Sequence, residues 1–238
     1  MGGIMKFFLL FDTTPLSPEA PLKALTSQGS RLDVACRMIR ACVLGPDGNP
    51  SGHSVSAWFA SGGNQSPAAA LHVDGRVVSA PVVLARFHSE LVLARYLKEL
   101  IKSTLRGTGE HNAPGITLQL LDTATDAASA FLESIKLEKE LAGRKVVLLL
   151  ERGTPVLDAS HPGILVFKNM QDDGTAIIVG DHHGFPARVE EKLLDICDHV
   201  AAINAAGRTD KLRREISYLG SHAIEFLQLF NHQSIRRG

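Results

Sequence analysis

The sequence predicts an α/β fold, with a mainly parallel sheet and helices on both of its faces. Apolar runs that do not alternate with polar residues, at 4–11, 145–150 and 176–179, indicate strands that are buried on both sides. Amphipathic segments at 87–105, 124–141 and 188–197 have the spacing of helices. Strand and helix alternate through the second half of the chain, which is typical of a parallel sheet covered by helices.

Length and composition set limits on the organisation and on the partners. The chain has 238 residues, of which 45% are hydrophobic, so it can bury a substantial core. We see no internal repeat or break in composition, and we expect a single domain over residues 1–238. The 25 basic and 25 acidic residues cancel, which excludes a polycationic nucleic-acid coat. Any RNA contact must therefore come from local patches.

Cysteine usage and the lack of long apolar stretches bear on the compartment. Cys36, Cys42 and Cys197 show no paired spacing, which favours a reducing compartment over a disulfide framework. No apolar stretch approaches the roughly 18 residues of a membrane span. The first residues do not have the pattern of a signal peptide. They also do not match a myristoylation site, because Lys6 stands where that pattern requires Ser or Thr. We expect a cytoplasmic protein with no membrane partner.

The remaining elements follow from turn signals and periodicity. Asp74-Gly75 predicts a hairpin over 71–78, because this dipeptide favours a two-residue turn. The other expected elements are a helix at 28–41, a loop at 45–53, strands at 54–60, 116–121 and 200–203, and a final helix from about 211 to 231.

The helix at 28–41 carries charges that helix stability alone can explain. Helical spacing places Asp33, Arg37 and Arg40 together on its water face. Ser30 and Asp33 have the spacing of a capping pair, and Asp33 and Arg37 that of an ion pair one turn apart.

The stretch 175–186 combines a buried strand, a glycine-bracketed loop and a helix start. Gly180 follows the strand, Gly184 closes the loop, and Pro186 precedes the helix. Ligands of open α/β sheets bind at the carboxyl ends of strands, where glycine allows close approach. An ordinary turn between strand and helix explains the pattern equally well.

Several motifs together carry a family resemblance. Gly-Asp-His-His-Gly-Phe at 180–185 resembles a loop of the pseudouridine N1-methyltransferases, which belong to the SPOUT class of S-adenosylmethionine-dependent RNA methyltransferases. Four further segments resemble motifs of that family in the same order: Gly29-Ser30-Arg31-Leu32-Asp33 with Cys36-Arg37, Pro114-Gly115-Ile116, Leu148-Leu149-Leu150-Glu151-x-Gly153, and Ser221-His222-Ala223-Ile224. The archaeal tRNA branch of the family is the most similar.

The resemblance implies a fold, a cofactor and partners. It implies a C-terminal trefoil knot, S-adenosyl-L-methionine as cofactor, tRNA as the RNA substrate, and a homodimer that assembles its target site across subunits. The implied cofactor-binding residues are Leu150, Glu151, Gly153, Gly180, Asp181, Gly184, Ile203, Leu219 and Ser221. On this basis we expect Gly180→Val to weaken cofactor binding while the fold persists.

The resemblance also implies which side chains carry the chemistry. Asp33 matches the family's Arg-Leu-Asp, so we expect it to accept the N1 proton, with Arg31 holding a phosphate or a uracil carbonyl. We predict that Arg37, Arg40 and Arg208 contact RNA. The apolar stripe of the last helix predicts the dimer contact.

Departures from the family keep other interpretations open. Residues 204–210 differ from the family's third cofactor loop, so the chain is also compatible with a non-catalytic RNA-binding relative whose basic tail holds the RNA, or with a ribosomal-RNA methyltransferase. A hydrolase with a metal at Asp181-His182-His183, joined by His161 or His222, is a third alternative. The absence of paired zinc spacing argues against it, and we expect no metal.

Overall fold

The computed structural model describes residues 4–19, 31–45, 47–63, 66–78, 80–155, 174–181, 183–202 and 224. For 151–155 and 201–202 only the backbone is described.

A seven-stranded mixed sheet forms the centre of the fold. Its strands are β1 (Lys6–Pro15), β2 (Ser54–Ala60), β3 (Ala69–Val73), β4 (Ile116–Leu120), β5 (Lys145–Pro155), β6 (Thr175–Gly180) and β7 (His199–Ala202). Their order in the sheet is β4-β3-β2-β1-β6-β5-β7. The pairs β1–β2, β1–β6, β5–β6 and β5–β7 are parallel. The pairs β2–β3 and β3–β4 are antiparallel, so the predicted parallel character holds on one side of the sheet and fails at the other edge.

Helices cover both faces of the sheet, as the sequence predicts. They are α1 (Leu32–Val43), α2 (Pro81–Leu84), α3 (Glu90–Arg106), α4 (Ala127–Ala142) and α5 (Ala187–Ile196), with a short 3-10 turn at Ala85–Phe87. The apolar sides of α1 and α3 join one hydrophobic cluster, which we call the first face. Those of α4 and α5 join a second cluster on the opposite side of the sheet, the second face.

Strand β1 shows why the continuous apolar runs predict buried strands. Phe7, Leu9 and Phe11 point into the first face, and Phe8 and Leu10 point into the second. All five are at most 1% exposed, which confirms that this strand is covered on both sides. The all-buried strand β6 lies between β1 and β5, which confirms the prediction of a central strand at 176–179.

The predicted hairpin at Asp74-Gly75 is wrong. Strand β3 ends at Val73, and the chain then turns into α2 instead of returning as a strand. Glycine is required at position 75 for packing, because a Cβ there would lie 1.5 Å from the carbonyl oxygen of His53. The dipeptide therefore permits close passage of the segment before β2.

Several predictions fall on residues outside those described. The final helix, its apolar stripe and the third loop of the predicted knot lie beyond Ala202, where the structure describes only Ile224, which is helical and fully buried in the first face. The knot and the homodimer stay predictions. Among the described residues, no helix is both long and apolar enough to cross a membrane.

Candidate functional site

Two of the three predicted cofactor segments lie at one edge of the sheet. Strands β1, β6, β5 and β7 are adjacent and parallel, so their carboxyl ends meet at the same edge. This edge holds the 180–184 loop after β6, the 150–153 segment of β5 and the end of β7. Ile203, Arg208, Leu219 and Ser221 lie outside the described residues.

The segment 150–153 interrupts the pairing of β5 with β7. Leu149 and Thr154 both pair with Ala201, so the residues between them are out of register. The predicted cofactor residues Leu150, Glu151 and Gly153 fall in this irregular segment, and the Leu150 side chain is partly buried. The sequence predicts the end of a strand here, whereas the structure shows a bulge in a longer strand.

Asp181 organises the loop after β6. Its side chain is 9% exposed and accepts the backbone N–H of His183 at 2.8 Å. Its carbonyl oxygen accepts the N–H of Gly184 at 3.0 Å, which closes a tight turn. Phe185 is 8% exposed and stacks on Phe131 of α4, which anchors the far side of the loop to the second face.

The two glycines of this loop have different structural roles. A Cβ at Gly180 would lie 2.7 Å from the carbonyl carbon of Gly184, so the loop's own backbone excludes a side chain there. Gly184 has φ +79°, and a Cβ added to it meets nothing within 4 Å. The open space beside the backbone is therefore at Gly184. The expectation that Gly180→Val spares the fold is at odds with this packing, because the branched side chain would displace the loop.

Asparagine substitutions should separate these two roles. We expect Gly180→Asn to lower the free energy of unfolding by about 1–3 kcal/mol or more, because the side chain forces the packed backbone apart. Gly184→Asn should cost less than about 1 kcal/mol, because asparagine tolerates positive φ and the site is open. Chemical denaturation of the two variants without ligand measures the difference. Equal losses of unfolding free energy in the two variants would show that the close contact at Gly180 is not the reason why glycine is required there.

The structure adds a polar segment that sequence reasoning missed. Asp12, Thr13 and Thr14 lie between the last regular β1–β2 pairs, Phe11–Phe59 and Pro15–Ala60, where the register shifts. The Thr13 hydroxyl donates to Asp181 Oδ2 at 3.1 Å, which ties the 180–184 loop to β1. The two residues are 168 positions apart, and no sequence motif links them.

Asp12, the residue before Thr13, lies near the carboxylates of Asp181 and Asp126. Burial raises the pKa of its carboxyl, nearby Arg188 lowers it, and the negative charges of Asp181 and Asp126 raise it further, with a net upward shift. Asp181 belongs to the loop after β6, and Asp126 and Arg188 stand at the starts of α4 and α5, so these segments carry the charged groups that act on Asp12.

The structure buries Asp33, the predicted catalytic carboxylate, at the start of α1. It is 3% exposed, so the prediction that it lies on the water face is wrong. Arg31 Nε lies 3.3 Å from Oδ1, and an Arg37 guanidinium nitrogen lies 3.9 Å from Oδ2, which confirms the predicted ion pair one turn apart. The described helix has Arg31 at its N-cap with no side-chain cap there, and the predicted capping by Ser30 lies outside the described residues. Arg31 and Arg37 are thus the cationic partners of the buried Asp33 carboxylate.

Arg37 and Arg40 hold α1 against the start of α3. Arg37 Nε donates to Glu90 Oε1 at 3.1 Å. Arg40 donates to the carbonyl oxygens of Phe87 and His88 at 2.8 and 3.2 Å. These contacts give both arginines a structural role. The prediction that they contact RNA stays a prediction.

Two other places in the molecule bear on alternative sites. A depression of about 310 Å³, lined by Lys6, Trp58, His72 and α4, lies on the second face near the start of β1, at the edge opposite the 180–184 loop. Burial and nearby Lys6 lower the pKa of His72, which bonds the Ser56 hydroxyl through Nδ1 at 2.9 Å.

Among the residues whose side chains are described, no group of three potential metal ligands occurs. His161, His182 and His222 lie outside that set.

Comparison with known protein sequences gives a match over nearly the whole chain. The sequence is 22% identical over 224 residues to a tRNA (pseudouridine(54)-N(1))-methyltransferase of Thermococcus kodakarensis. The match covers 94% of this chain and 96% of that enzyme. The chain is similar to an RNA methyltransferase. No family model matches it.

A solved structure offers a looser likeness. A TrmH-family protein from Porphyromonas gingivalis, assigned as an RNA methyltransferase, superposes with a TM-score of 0.37 at 13% identity. The superposition covers 97% of this chain, which spans 60% of that protein. At this score the two folds are not shown to be the same.

Proposed function

We propose that the protein is an S-adenosylmethionine-dependent RNA methyltransferase that methylates N1 of a pseudouridine in tRNA. The observation that carries the proposal is Asp33, a buried carboxylate flanked by Arg31 at 3.3 Å and Arg37 at 3.9 Å. Helix stabilisation alone does not require a carboxylate that is removed from water, because exposed acids also stabilise the first turn of a helix. The similarity to a tRNA pseudouridine methyltransferase supports the same function.

The residues at the carboxyl edge suit a cofactor held by the main chain. Gly184 leaves open space beside the backbone, and the bulge at 150–153 lies on the neighbouring strand. In the proposal these two segments hold S-adenosylmethionine, with Asp181 fixing the shape of the first. When bound, the cofactor supplies a methyl group that needs no further activation.

The chain's own chemical task is then to manage a proton. N1 of pseudouridine is a weakly acidic imide nitrogen, which attacks well only as its proton leaves. An Asp33 carboxylate oxygen accepts this proton, a contribution of about 10²–10⁴-fold in rate.

Arg31 controls access to Asp33 in this scheme. The Asp33 side chain is 4% exposed and that of Arg31 is 30% exposed. Arg31 therefore gives up its contact with Asp33 when the base enters, and its planar guanidinium then binds the uracil carbonyl or a phosphate.

Isothermal titration with S-adenosylmethionine and with its demethylated product tests the cofactor assignment. We expect both to bind to the wild-type protein and equally to Asp33→Asn, because Asp33 contacts the base and not the cofactor. The absence of binding by both ligands would contradict the proposal. Binding of the cofactor without methyl transfer to any pseudouridine-containing RNA would favour the non-catalytic RNA-binding alternative.

A further inference from the structure

Helix α3 carries a ridge of basic side chains on its outer surface. The ridge consists of Arg95, Lys98, Lys102 and Arg106. At 100° per residue, these four positions fall within an arc of about 80° and extend over about 16 Å of the helix axis. Arg95 and Arg106 are exposed, and Lys98 and Lys102 are partly exposed. The opposite side of α3 is apolar and packs into the first face.

The charge of the helices differs between the two faces of the sheet. Helices α1 and α3 on the first face carry six basic and three acidic residues. Helices α4 and α5 on the second face carry four basic and six acidic residues. The described helices thus differ in net charge, +3 (six minus three) on the first face and −2 (four minus six) on the second, although the chain as a whole is neutral.

The two ends of the basic ridge, Arg95 and Arg106, are not neutralised by ion pairs within the described chain. Glu99 pairs with Lys102 at 3.0 Å, and Glu90, at the start of the helix, pairs with Arg37. Within the part of the chain that the structure describes, neither Arg95 nor Arg106 forms an ion pair. Arg95 and Arg106 therefore contribute two positive charges to the ridge that no ion pair within the described chain offsets.

The ridge lies on the helix whose first turn adjoins the predicted catalytic carboxylate. Arg37 lies between Asp33, at 3.9 Å, and Glu90, at 3.1 Å, so the first turn of α3 adjoins the Asp33 site. Arg95 follows Glu90 by about 8 Å along the helix axis. A polyanion that follows the ridge towards the start of α3 would thus reach the end of the helix that adjoins Asp33, and would pass around the helix to reach Asp33 itself.

We propose that this α3 ridge binds the phosphate backbone of the RNA substrate and guides the strand to Asp33. The inference rests on the proposed function, because it takes RNA as the ligand. The evenly placed cations of one helix suit a chain of phosphates, and such contacts give affinity without sequence information. Base selection then remains with the residues around Asp33.

The salt dependence of tRNA binding by two matched double variants tests the proposal. Arg95→Gln/Arg106→Gln removes two charges from the ridge. Lys136→Gln/Lys192→Gln removes two exposed charges from α4 and α5 on the second face. We expect the ridge variant to bind a tRNA transcript several-fold more weakly and to lower the slope of log K against log salt by about 1.4–1.8, the value for two phosphate contacts. The control variant should keep the wild-type slope.

A charge change of opposite sign strengthens the test. Glu99→Gln removes the acid of the ridge, so RNA binding at low salt should become tighter. All these side chains are at least partly exposed, and melting temperatures close to that of the wild type would exclude a folding defect.

The outcomes separate failure of the ridge from failure of the proposed function. Suppose that the wild type binds and methylates RNA and that both double variants keep the wild-type slope of log K against log salt. The ridge proposal is then overturned, and the proposed methyltransferase function is unaffected. That result would leave an acidic protein as the ligand of α3. If the wild type binds no RNA even at low salt, both proposals fall.

Discussion

Asp33→Asn is expected to reduce single-turnover methyl transfer to a pseudouridine-containing RNA by about 100-fold or more, in line with the loss of a general base. The amide keeps the shape of the carboxylate and its ability to accept a hydrogen bond from Arg31. It cannot take up the N1 proton. Cofactor affinity should stay unchanged, and the melting temperature should fall only slightly, because Arg31 and Arg37 are partly exposed and remain solvated.

Glu90→Gln provides the matched control for Asp33→Asn. It removes the other carboxylate of Arg37, at 3.1 Å, and leaves Asp33 in place. If disruption of the ion-pair cluster explained the loss of activity, both variants would lose activity to a similar extent. We expect Glu90→Gln to retain most of the wild-type rate. Full methylation by Asp33→Asn would remove Asp33 from the mechanism.

Asp181→Ala is expected to weaken S-adenosylmethionine binding by about 10–100-fold. The Asp181 side chain accepts hydrogen bonds from the Thr13 hydroxyl and from the His183 N–H, so its removal releases the 180–184 loop from β1. Losing a buried acceptor with two donors costs about 1–3 kcal/mol, and 1.4 kcal/mol corresponds to a tenfold change in affinity. Titration calorimetry measures the change.

Two further variants show whether the loop tether is the cause. Thr13→Val removes only the tether, and in a double-mutant cycle with Asp181→Ala the two effects should not add. Asp195→Ala removes an exposed acid of α5 and controls for the change in net charge. Cofactor affinity that is unaffected by Asp181→Ala would show that the 180–184 loop does not hold the ligand.

The apolar runs of the sequence predict the core of the sheet well. A run such as Phe7 to Phe11 can avoid water only if both sides of the strand are covered, so burial and helices on both faces follow from it. The antiparallel edge was harder to predict, because β3 and β4 are short and Asp74-Gly75 resembles a hairpin turn. Its glycine is needed for the passage of His53, a contact between segments that are distant in sequence.

The candidate site shows the same division between local and distant signals. The 180–184 loop and the Asp33–Arg37 pair are local patterns, and the sequence predicts them. The burial of Asp33, the tether from Thr13 to Asp181 and the bulge at 150–153 depend on how segments meet in three dimensions. Helical spacing places Asp33 beside Arg37 on one side of α1 but does not reveal what covers that side.

Methyl transfer to defined RNA tests the central claim most directly. Two tRNA stem-loops that differ only in having pseudouridine or uridine at the target position are incubated with isotope-labelled S-adenosylmethionine, and the nucleosides are analysed by mass spectrometry. We expect label on N1 of pseudouridine and no label in the uridine RNA. Label on a ribose or on uridine, or no transfer despite tight cofactor binding, would contradict the assignment of the protein as a pseudouridine N1-methyltransferase.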